Sequence, residues 1–467
     1  MGNNFTPKAR RITISIISFF IVALLVFVIL GRTPADAPHS PTNHPSVNPT
    51  ILPTQEPALT YTEMTLLSVG DIMFHRPQIA SGYNSATQTY DFKDNFRYVK
   101  DIISSADLAV ANFEGTVAES GYMETQGMIF RVPVSTLDAV KTAGFDVLTF
   151  ANNHMFDNRN FGITNSLERF KEYGLHAIGA TADPDTQRTC GIYEVNGIKI
   201  GAFNYTDSIT QDRYDETTGD FIAHTINGLS IPSDFYNHMN IFVQGQEEAF
   251  YNRVQEDLRY FNEQGVDIVV AYLHWGAEYD LMDGETYQNK YQRQMAQKLC
   301  NMGVDVIIGS HPHVIQPMDT LTSETDPNHT TLCFYSLGNY LSNQNRSAAN
   351  WSKPAPAQGY SENGLMVQLT LRKYSDGTTL ISKIDYTPTW VHRYYKGKAL
   401  NYTTYYYDII PLPIAESDYE KYGLTKSSFG VTHALEAYTR TDDVLREAVS
   451  VFNQQAVEVI ALKESKA

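Results

Sequence analysis

The stretch "FDVLTFANNHMFDN", residues 145–158, contains the pattern on which the fold prediction rests. An apolar run typical of a buried strand leads directly into Asn152, Asn153 and His154, and Asp157 follows three residues later. By itself the pattern has an ordinary explanation, because asparagine and aspartate favour turns. The rest of the chain decides whether turn formation explains so many polar side chains.

Five other apolar runs also end in polar residues. Residues 65–70 precede Asp71 and His75, 106–111 precede Asn112 and Glu114, 266–273 precede His274, Trp275 and Glu278, 304–310 precede His311 and His313, and 331–338 precede Asn339. Helix-like stretches that end in glycine, such as 164–174 and 287–303, lie between runs. This alternation predicts an α/β fold. Because ligands of such sheets bind beyond the carboxyl ends of the strands, we expect these polar groups to converge on one edge.

Most of these residues have a simple structural explanation when taken alone. His75 suits a loop, Asn112 a turn, Trp275 a packed core, and Asp157 a helix cap. His311 and His313 are harder to explain this way, because two imidazoles after a buried strand are costly without partners. Carboxylate, amide and imidazole groups together are ligands for divalent metals, so the set predicts a metal or catalytic centre.

The composition limits the classes of partner. The chain has 467 residues and a formal net charge of −17, which argues against nucleic acid as a partner. Contact with any polyanion would need a local cationic site or a metal. Cys190, Cys300 and Cys333 are too few for a disulfide framework, and Cys300 and Cys333 lie in apolar runs that predict buried free thiols.

The N-terminal region predicts a membrane anchor. Residues 12–31 carry no charge and follow Lys8, Arg10 and Arg11, and 20 residues at ~1.5 Å each span a ~30 Å hydrocarbon core. We therefore expect residues 1–11 in the cytoplasm and the main domain outside the cell, with a single-pass anchor in the cell membrane. The alternative is a signal peptide cleaved near "ADA", 35–37. Residues 32–60, rich in Pro, Thr and Ser, predict a disordered linker.

Six fragments carry a resemblance to a known family. They are "LSVGDIMFHR", "ANFEGTV", "FANNHMFDN", "LHWGAEY", "GSHPHVIQPMD" and "YSLGNYLSNQ". In this order they resemble the CapA-type poly-γ-glutamate capsule synthesis proteins, whose fold is similar to calcineurin-like metallophosphoesterases. The resemblance covers about residues 64–345 and implies a four-layer α-β-β-α metallophosphoesterase-like sandwich over 61–347. We expect residues 348–467 to form a β and helical extension packed on the same domain, since 364–395 alternate like antiparallel strands and 431–463 have helical spacing.

The resemblance also implies roles for individual residues. The implied metal ligands are Asp71, Glu114, Asn153, His274, His311 and His313, and they would hold one or two divalent ions (Mn, Zn, Mg or Fe). The implied catalytic residues are His154 as acid or phosphate contact, Arg76 as a clamp for a carboxylate or phosphate, and Asp157, which either orients His154 or caps the following helix. We further predict substrate contacts from Asn112, Trp275, Glu278 and Asn339.

The sequence departs from the phosphoesterase pattern in the first two motifs. Met73 occupies a position where a histidine is expected, and Glu114 replaces a bridging aspartate. A thioether is a poor ligand for Mn, Mg or Zn, so at least one metal is predicted and the second loses an imidazole. His75 lies nearby at a different spacing. Arg159 stands where the family usually has glycine.

Three functional hypotheses follow. The first is a membrane-anchored, metal-dependent hydrolase that acts on poly-γ-glutamate or a related anionic polymer of the cell envelope during capsule biosynthesis or export. The second is a metal-dependent phosphoesterase, which Met73 weakens. The third is a non-catalytic subunit that binds polymer and assembles with other capsule synthase subunits in the membrane.

Overall fold

The computed structural model describes residues 59–118, 129–185, 187–207, 209–282, 285–347 and 358–465. The predicted cytoplasmic segment, the anchor over 12–31 and nearly all of the linker lie outside these ranges. Within them, no helix has both the length and the apolar character that a membrane crossing requires.

The secondary structure alternates strands and helices along most of the chain. The strands are β1 (Tyr61–Met73), β2 (Tyr83–Asn84), β3 (Thr89–Tyr90), β4 (Leu108–Glu114), β5 (Thr116–Ala118), β6 (Arg131–Pro133), β7 (Val147–Thr149), β8 (His176–Ile178), β9 (Gly191–Val195), β10 (Ile198–Thr206), β11 (Thr210–Tyr214), β12 (Phe221–Ile226), β13 (Leu229–Ser230), β14 (Ile268–His274), β15 (Leu281–Met282), β16 (Glu285–Thr286), β17 (Val306–Ser310), β18 (Met318–Thr322), β19 (Thr330–Phe334), β20 (Asn339–Leu341), β21 (Asn363–Tyr374), β22 (Thr379–Ala399) and β23 (Tyr402–Pro411). The helices are α1 (Arg76–Gly82), α2 (Lys100–Ser104), α3 (Ser135–Ala143), α4 (Arg159–Glu172), α5 (Glu247–Glu263), α6 (Lys290–Met302) and α7 (Phe429–Glu464).

The larger sheet has the strand order β23-β22-β21-β1-β4-β7-β8, and β20 also pairs with β1. Strands β1, β4, β7 and β8 are parallel, whereas β21, β22 and β23 are antiparallel to their neighbours. In the register of β1 with β21, Val69 pairs with Met366. The C-terminal strands therefore extend the sheet that β1 begins.

The smaller sheet has the order β18-β19-β17-β14-β10-β9. Its four central strands are parallel, and its two outer strands are antiparallel. His274, at the end of β14, pairs with Thr206 on one side and Ser310 on the other. The carboxyl ends of β10, β14 and β17 therefore lie side by side.

The two sheets pack face to face, and helices cover their outer faces. Leu66 and Val110 of the larger sheet share one buried core with Val270 and Ile308 of the smaller sheet. Helices α3 and α4 contribute to the core outside the larger sheet, and α5 and α6 to the core outside the smaller sheet. Each fully buried aliphatic side chain contributes about 1.5–3 kcal/mol. The predicted α/β class is confirmed, and the metallophosphoesterase-like character of the sandwich stays a prediction.

Local sequence explains several element ends. Helix α6 begins with a capping box in which the Asn289 side chain accepts from Gln292 N, and it ends at Gly303 with φ +95°. Helix α4 is followed by Gly174 with φ +65°. Arg159, at the start of α4, has φ +57°, a left-handed conformation that glycine adopts without strain. This conformation gives a physical reason for the family's glycine at the position.

Two details of the strand ends differ from the sequence prediction. The apolar run over 331–338 is not one strand, because β19 ends at Phe334 and the chain turns at Gly338 (φ +66°) before Asn339 opens β20. Strand β20 then pairs with β1 in the other sheet, where Asp71 is opposite Asn339. The polar strand ends are therefore divided between two facing sheets, and the prediction that they lie on the edge of a single sheet was wrong.

Candidate metal centre

The site forms where the carboxyl ends of the two sheets meet. Asp71 lies near the end of β1 in the larger sheet, and His313 follows β17 in the smaller sheet. The Nδ1 atom of His313 lies 3.0 Å from Oδ2 of Asp71, and both side chains are buried. This contact joins groups from the two sheets across the interface.

Glu114, the last residue of β4, adds a second buried carboxylate. Its Oε1 lies 3.7 Å from Nε2 of His313 and 4.0 Å from Nε2 of His154. Among the residues that the structure describes, this oxygen has no hydrogen-bond partner. A buried carboxylate oxygen without a partner is costly, and a bound cation would satisfy it.

Among the residues that the structure describes, two groups of side chains could hold a divalent cation. Asp71, Glu114 and His313 form one, and Glu278, His311 and His313 form the other, with the ligand atoms of each group within 4.8 Å of one another. The mixture of carboxylate and imidazole donors fits Mn, Zn or Fe. His313 belongs to both groups, so it is the residue on which either site depends.

The loop that carries the two histidines has an unusual backbone. His311 has φ +92° and His313 has φ +57°. Left-handed conformations at non-glycine residues cost of order 1–3 kcal/mol each and persist where the surrounding structure imposes them. Here they turn both imidazoles toward the carboxylates.

His154 is held by a carboxylate behind it. Its Nδ1 lies 2.8 Å from Oδ2 of Asp157, which also accepts from the backbone N–H of Phe130. The Phe130 ring packs on His154 with centroids 4.4 Å apart. With Nδ1 donating to Asp157, Nε2 of His154 faces Glu114. The structure thus places Asp157 as an orienting partner of His154.

Asn153 and His274 form a second polar chain. The Nε2 atom of His274 lies 2.7 Å from Oδ1 of Asn153 and 3.2 Å from Nδ1 of His311. On its other side, Nδ1 of His274 lies 2.9 Å from Oγ of Ser310. His274 and Asn153 therefore touch the second group through His311 and stand outside both three-residue groups.

Asn112 forms hydrogen bonds that hold the Asp71 carboxylate in place. Its Nδ2 donates to Oδ1 of Asp71 at 2.8 Å, and its Oδ1 accepts from Asn152 at 3.3 Å. Asn152 also donates to the carbonyl of Phe113 at 2.9 Å. These contacts fix the orientation of Asp71, and Asn112 is 3 % exposed.

Burial and charge set the protonation of three groups. Burial, together with the carboxylates of Asp71 and Glu278, raises the pKa of Glu114 well above its usual value. Burial opposes a charge on His313, but Glu114 and Asp71 outweigh it and raise the pKa of His313 to about 9. Burial and the neighbouring His311 and His313 lower the pKa of His274 well below its usual value, so this imidazole stays neutral.

Other predicted site residues lie at the margin of the cluster. Arg76 donates to the Tyr402 hydroxyl at 2.8 Å, and His75 accepts from Asn343 N at 3.3 Å through Nδ1. Trp275 is buried, with its indole N–H donating to the Tyr335 carbonyl at 3.0 Å. Asn339 donates to Gln344 and to the Ser361 carbonyl. Met73 is fully buried in β1. None of these contacts joins the metal-binding groups.

Three residues at the site were missed by sequence reasoning. Asn227 donates to the Asn153 carbonyl at 2.8 Å from the turn between β12 and β13, Phe130 packs on His154, and Ser310 contacts His274. The Asn227-Gly228 pair signals a hairpin turn, but no local pattern shows where that hairpin docks. Ser310 directly precedes His311 in the sequence, but nothing in the sequence predicted that its hydroxyl contacts His274.

Comparisons with known proteins identify the family of the chain. A family model described as bacterial capsule synthesis protein PGA_cap matches residues 65–344, more than half of the chain. The chain is 28% identical over 331 residues to a Bacillus subtilis (strain 168) protein named PGA biosynthesis protein CapA, covering 70% of this chain and 73% of that one. It is 27% identical over 328 residues to the capsule biosynthesis protein CapA of Bacillus anthracis, covering 69% and 67%.

Among solved structures, a hypothetical protein from Thermus thermophilus aligns with 70% of this chain and 98% of its own at 14% identity and a TM-score of 0.37, too low to support a conclusion. The family match over 65–344 spans β1 to β20, which contain or flank every residue of both metal-binding groups. The chain therefore belongs to the bacterial capsule synthesis protein family.

Proposed function

We propose that this chain acts in capsule biosynthesis as a membrane-anchored hydrolase of the cell surface that cleaves an anionic polymer such as poly-γ-glutamate. One observation carries the proposal: the two metal-binding groups share His313 at the meeting point of the sheets. The name of the Bacillus subtilis relative supports the polymer, and the uncharged run over 12–31 supports the anchor.

A divalent cation at this site would have two chemical roles. When present, a divalent cation polarises a carbonyl oxygen and lowers the pKa of water. Asp71, Glu114 and His313 would hold one ion; Glu278, His311 and His313 are the alternative set, because a neutral imidazole offers one lone pair to a metal. Asn112 keeps Asp71 in place through its 2.8 Å hydrogen bond.

The other residues of the site provide a proton donor and hold the backbone around it in place. His154, held by Asp157 at 2.8 Å, presents Nε2 to the interior of the site, where it can give a proton to the leaving amine. Asn227 fixes the backbone of Asn153, whose side chain contacts His274. His154 is therefore positioned beside the metal-binding groups to act as the acid in the hydrolysis of an amide bond.

The test is chain shortening. Purified full-length protein loaded with Mn²⁺ or Zn²⁺ is incubated with poly-γ-glutamate, and polymer length is followed by gel filtration. We expect shortening that needs the metal and is lost in His154→Ala, with metal content unchanged. Metal-loaded protein that leaves the polymer intact would support the non-catalytic hypothesis. Turnover of a generic phosphoester, lost in His154→Ala, with intact polymer would support the phosphoesterase.

A further inference from the structure

A group of arginines and tyrosines lies beside the metal centre on the C-terminal strands. Arg393 of β22 stacks over the Tyr405 ring at 3.8 Å, and Arg76 lies over the Tyr402 ring at 5.5 Å. Tyr395, which pairs with Tyr405 across the strands, is 66% exposed. We call Arg76, Arg393, Tyr395, Tyr402 and Tyr405 the arginine–tyrosine surface.

Hydrogen bonds link this surface to the edge of the metal centre. Arg393 donates to Asn345 at 2.6 Å, Asn345 donates to the Asn343 carbonyl, and Asn343 N donates to His75. The His75 ring packs on Phe130, 4.9 Å between centroids, and Phe130 packs on His154. Arg76 follows His75 directly in the chain. Two residues, His75 and Phe130, thus lie between Arg76 and His154.

The two arginines carry charge that carboxylates of the described chain do not neutralise. Arg97, Arg346 and Arg372 each form an ion pair. Within the ranges that the structure covers, Arg76 and Arg393 form none; Arg76 donates to the Tyr402 hydroxyl and Arg393 to Asn345 Oδ1, both of them neutral acceptors. Asp408, the carboxylate of β23, already pairs with Arg97 at 2.7 Å. Arg259 and Arg293 form no ion pair within those ranges either, so what distinguishes Arg76 and Arg393 is their position over tyrosine rings and their link to His75.

The chemistry of the surface selects a class of ligand. Contact with a tyrosine ring holds a guanidinium in place, and a guanidinium has five N–H donors, so Arg76 and Arg393 keep donors for a carboxylate beyond the one that each gives to Tyr402 or Asn345. Tyrosine hydroxyls add donors for carboxylate oxygens. Two cations are too few for the roughly six to ten phosphate contacts typical of a nucleic-acid site.

We propose that the arginine–tyrosine surface binds the carboxylates of a polymer chain and guides it to the metal centre. This inference rests on the proposed function, since it takes the same polymer as substrate, but it concerns binding by β22, β23 and α1 in the absence of metal. It assigns to the C-terminal strands a role in recognition as well as in extending the sheet.

The experiment measures binding of full-length protein to fluorescently labelled poly-γ-glutamate in EDTA at low salt. The variant Arg76→Gln/Arg393→Gln should weaken binding about tenfold, because each charge-assisted contact to a carboxylate is lost. The matched control Arg259→Gln/Arg293→Gln removes two exposed arginines of α5 and α6 and should bind as the unmodified chain does. Tyr395→Ala, at an exposed position that tolerates truncation, should also weaken binding.

Each result decides the inference. Equal binding by the two double variants, or no binding by the unmodified chain in EDTA, would overturn it. Polyadenylate bound as tightly as poly-γ-glutamate would overturn the assignment to carboxylates. The binding assay contains no metal, so a protein that fails to shorten the polymer can still support this inference. If the metal-loaded protein shortens the polymer but the two double variants bind it equally well, the proposed function stands and the arginine–tyrosine surface is refuted.

Discussion

Replacing His313 with alanine should weaken metal binding in whichever of the two groups holds the ion. The imidazole is the ligand that the groups share, and its ring nitrogens lie 3.0 Å from Asp71 and 3.7 Å from Glu114. A four-ligand zinc site is worth about 10–16 kcal/mol, or about 3 kcal/mol per ligand. Loss of one ligand therefore weakens the affinity about 150-fold at ~1.4 kcal/mol per factor of ten.

Single changes in the other ligands separate the two groups. Asp71→Asn weakens only the group with Glu114, and Glu278→Gln only the group with His311. Whichever of the two groups holds an ion, His313→Ala should weaken its binding. If one ion binds, only one of the two changes should matter.

The assay is calorimetric titration of the metal-stripped full-length chain with Zn²⁺, with metal content measured after dialysis. The matched control is His329→Ala, because His329 is a partly buried histidine that contacts the Val304 carbonyl and Asp305, outside both groups. A His313→Ala protein that binds Zn²⁺ within about threefold of the unmodified chain would refute the assignment of the shared ligand, since the loss of one ligand predicts a far larger effect.

Four further results are expected. Because the pKa of His313 is about 9, a metal must displace a proton from this imidazole below that pH. The metal affinity should therefore rise about tenfold per pH unit between pH 6 and 8, and titrations in buffers of different ionisation enthalpy should show proton release. A metal affinity that does not change with pH would contradict this. Because burial raises the pKa of Glu114, its charge destabilises the metal-free fold as pH rises, so Glu114→Gln should resist urea better at pH 7 in EDTA, with a smaller gain at pH 5, while binding metal more weakly. Arg159→Gly should raise the free energy of unfolding by about 0.5–1 kcal/mol, because φ +57° strains arginine, and Arg159→Ala should not. Gly70→Ala should destabilise by about 3 kcal/mol in the same assay, because its Cβ would lie 2.0 Å from the Gly338 carbonyl oxygen; an unchanged midpoint would contradict that contact.

Much of the site could be predicted because ligands follow apolar runs in the sequence. Strands buried on both faces read as continuous apolar runs, so their ends are visible without a structure. Asp71, Glu114, His311 and His313 were singled out this way, and Glu278 was predicted as a substrate contact. The structure places all five in the two groups that could hold a metal, and their role as ligands stays a prediction. The helix over α7 was equally visible from its periodicity, and the buried free thiols of Cys300 and Cys333 are confirmed.

The sequence by itself therefore determined the α/β class, the family and most of the polar residues of the site, because periodicity and motif order are local properties of the chain. Only the tertiary structure decided that two facing sheets share the site, that Asp157 supports His154, and that Asn227 reaches Asn153 across 74 residues. It also placed Arg393 beside the loop that contacts His75. These contacts depend on how sheets and hairpins pack in space, and side-chain packing between distant segments leaves no periodic pattern along the chain.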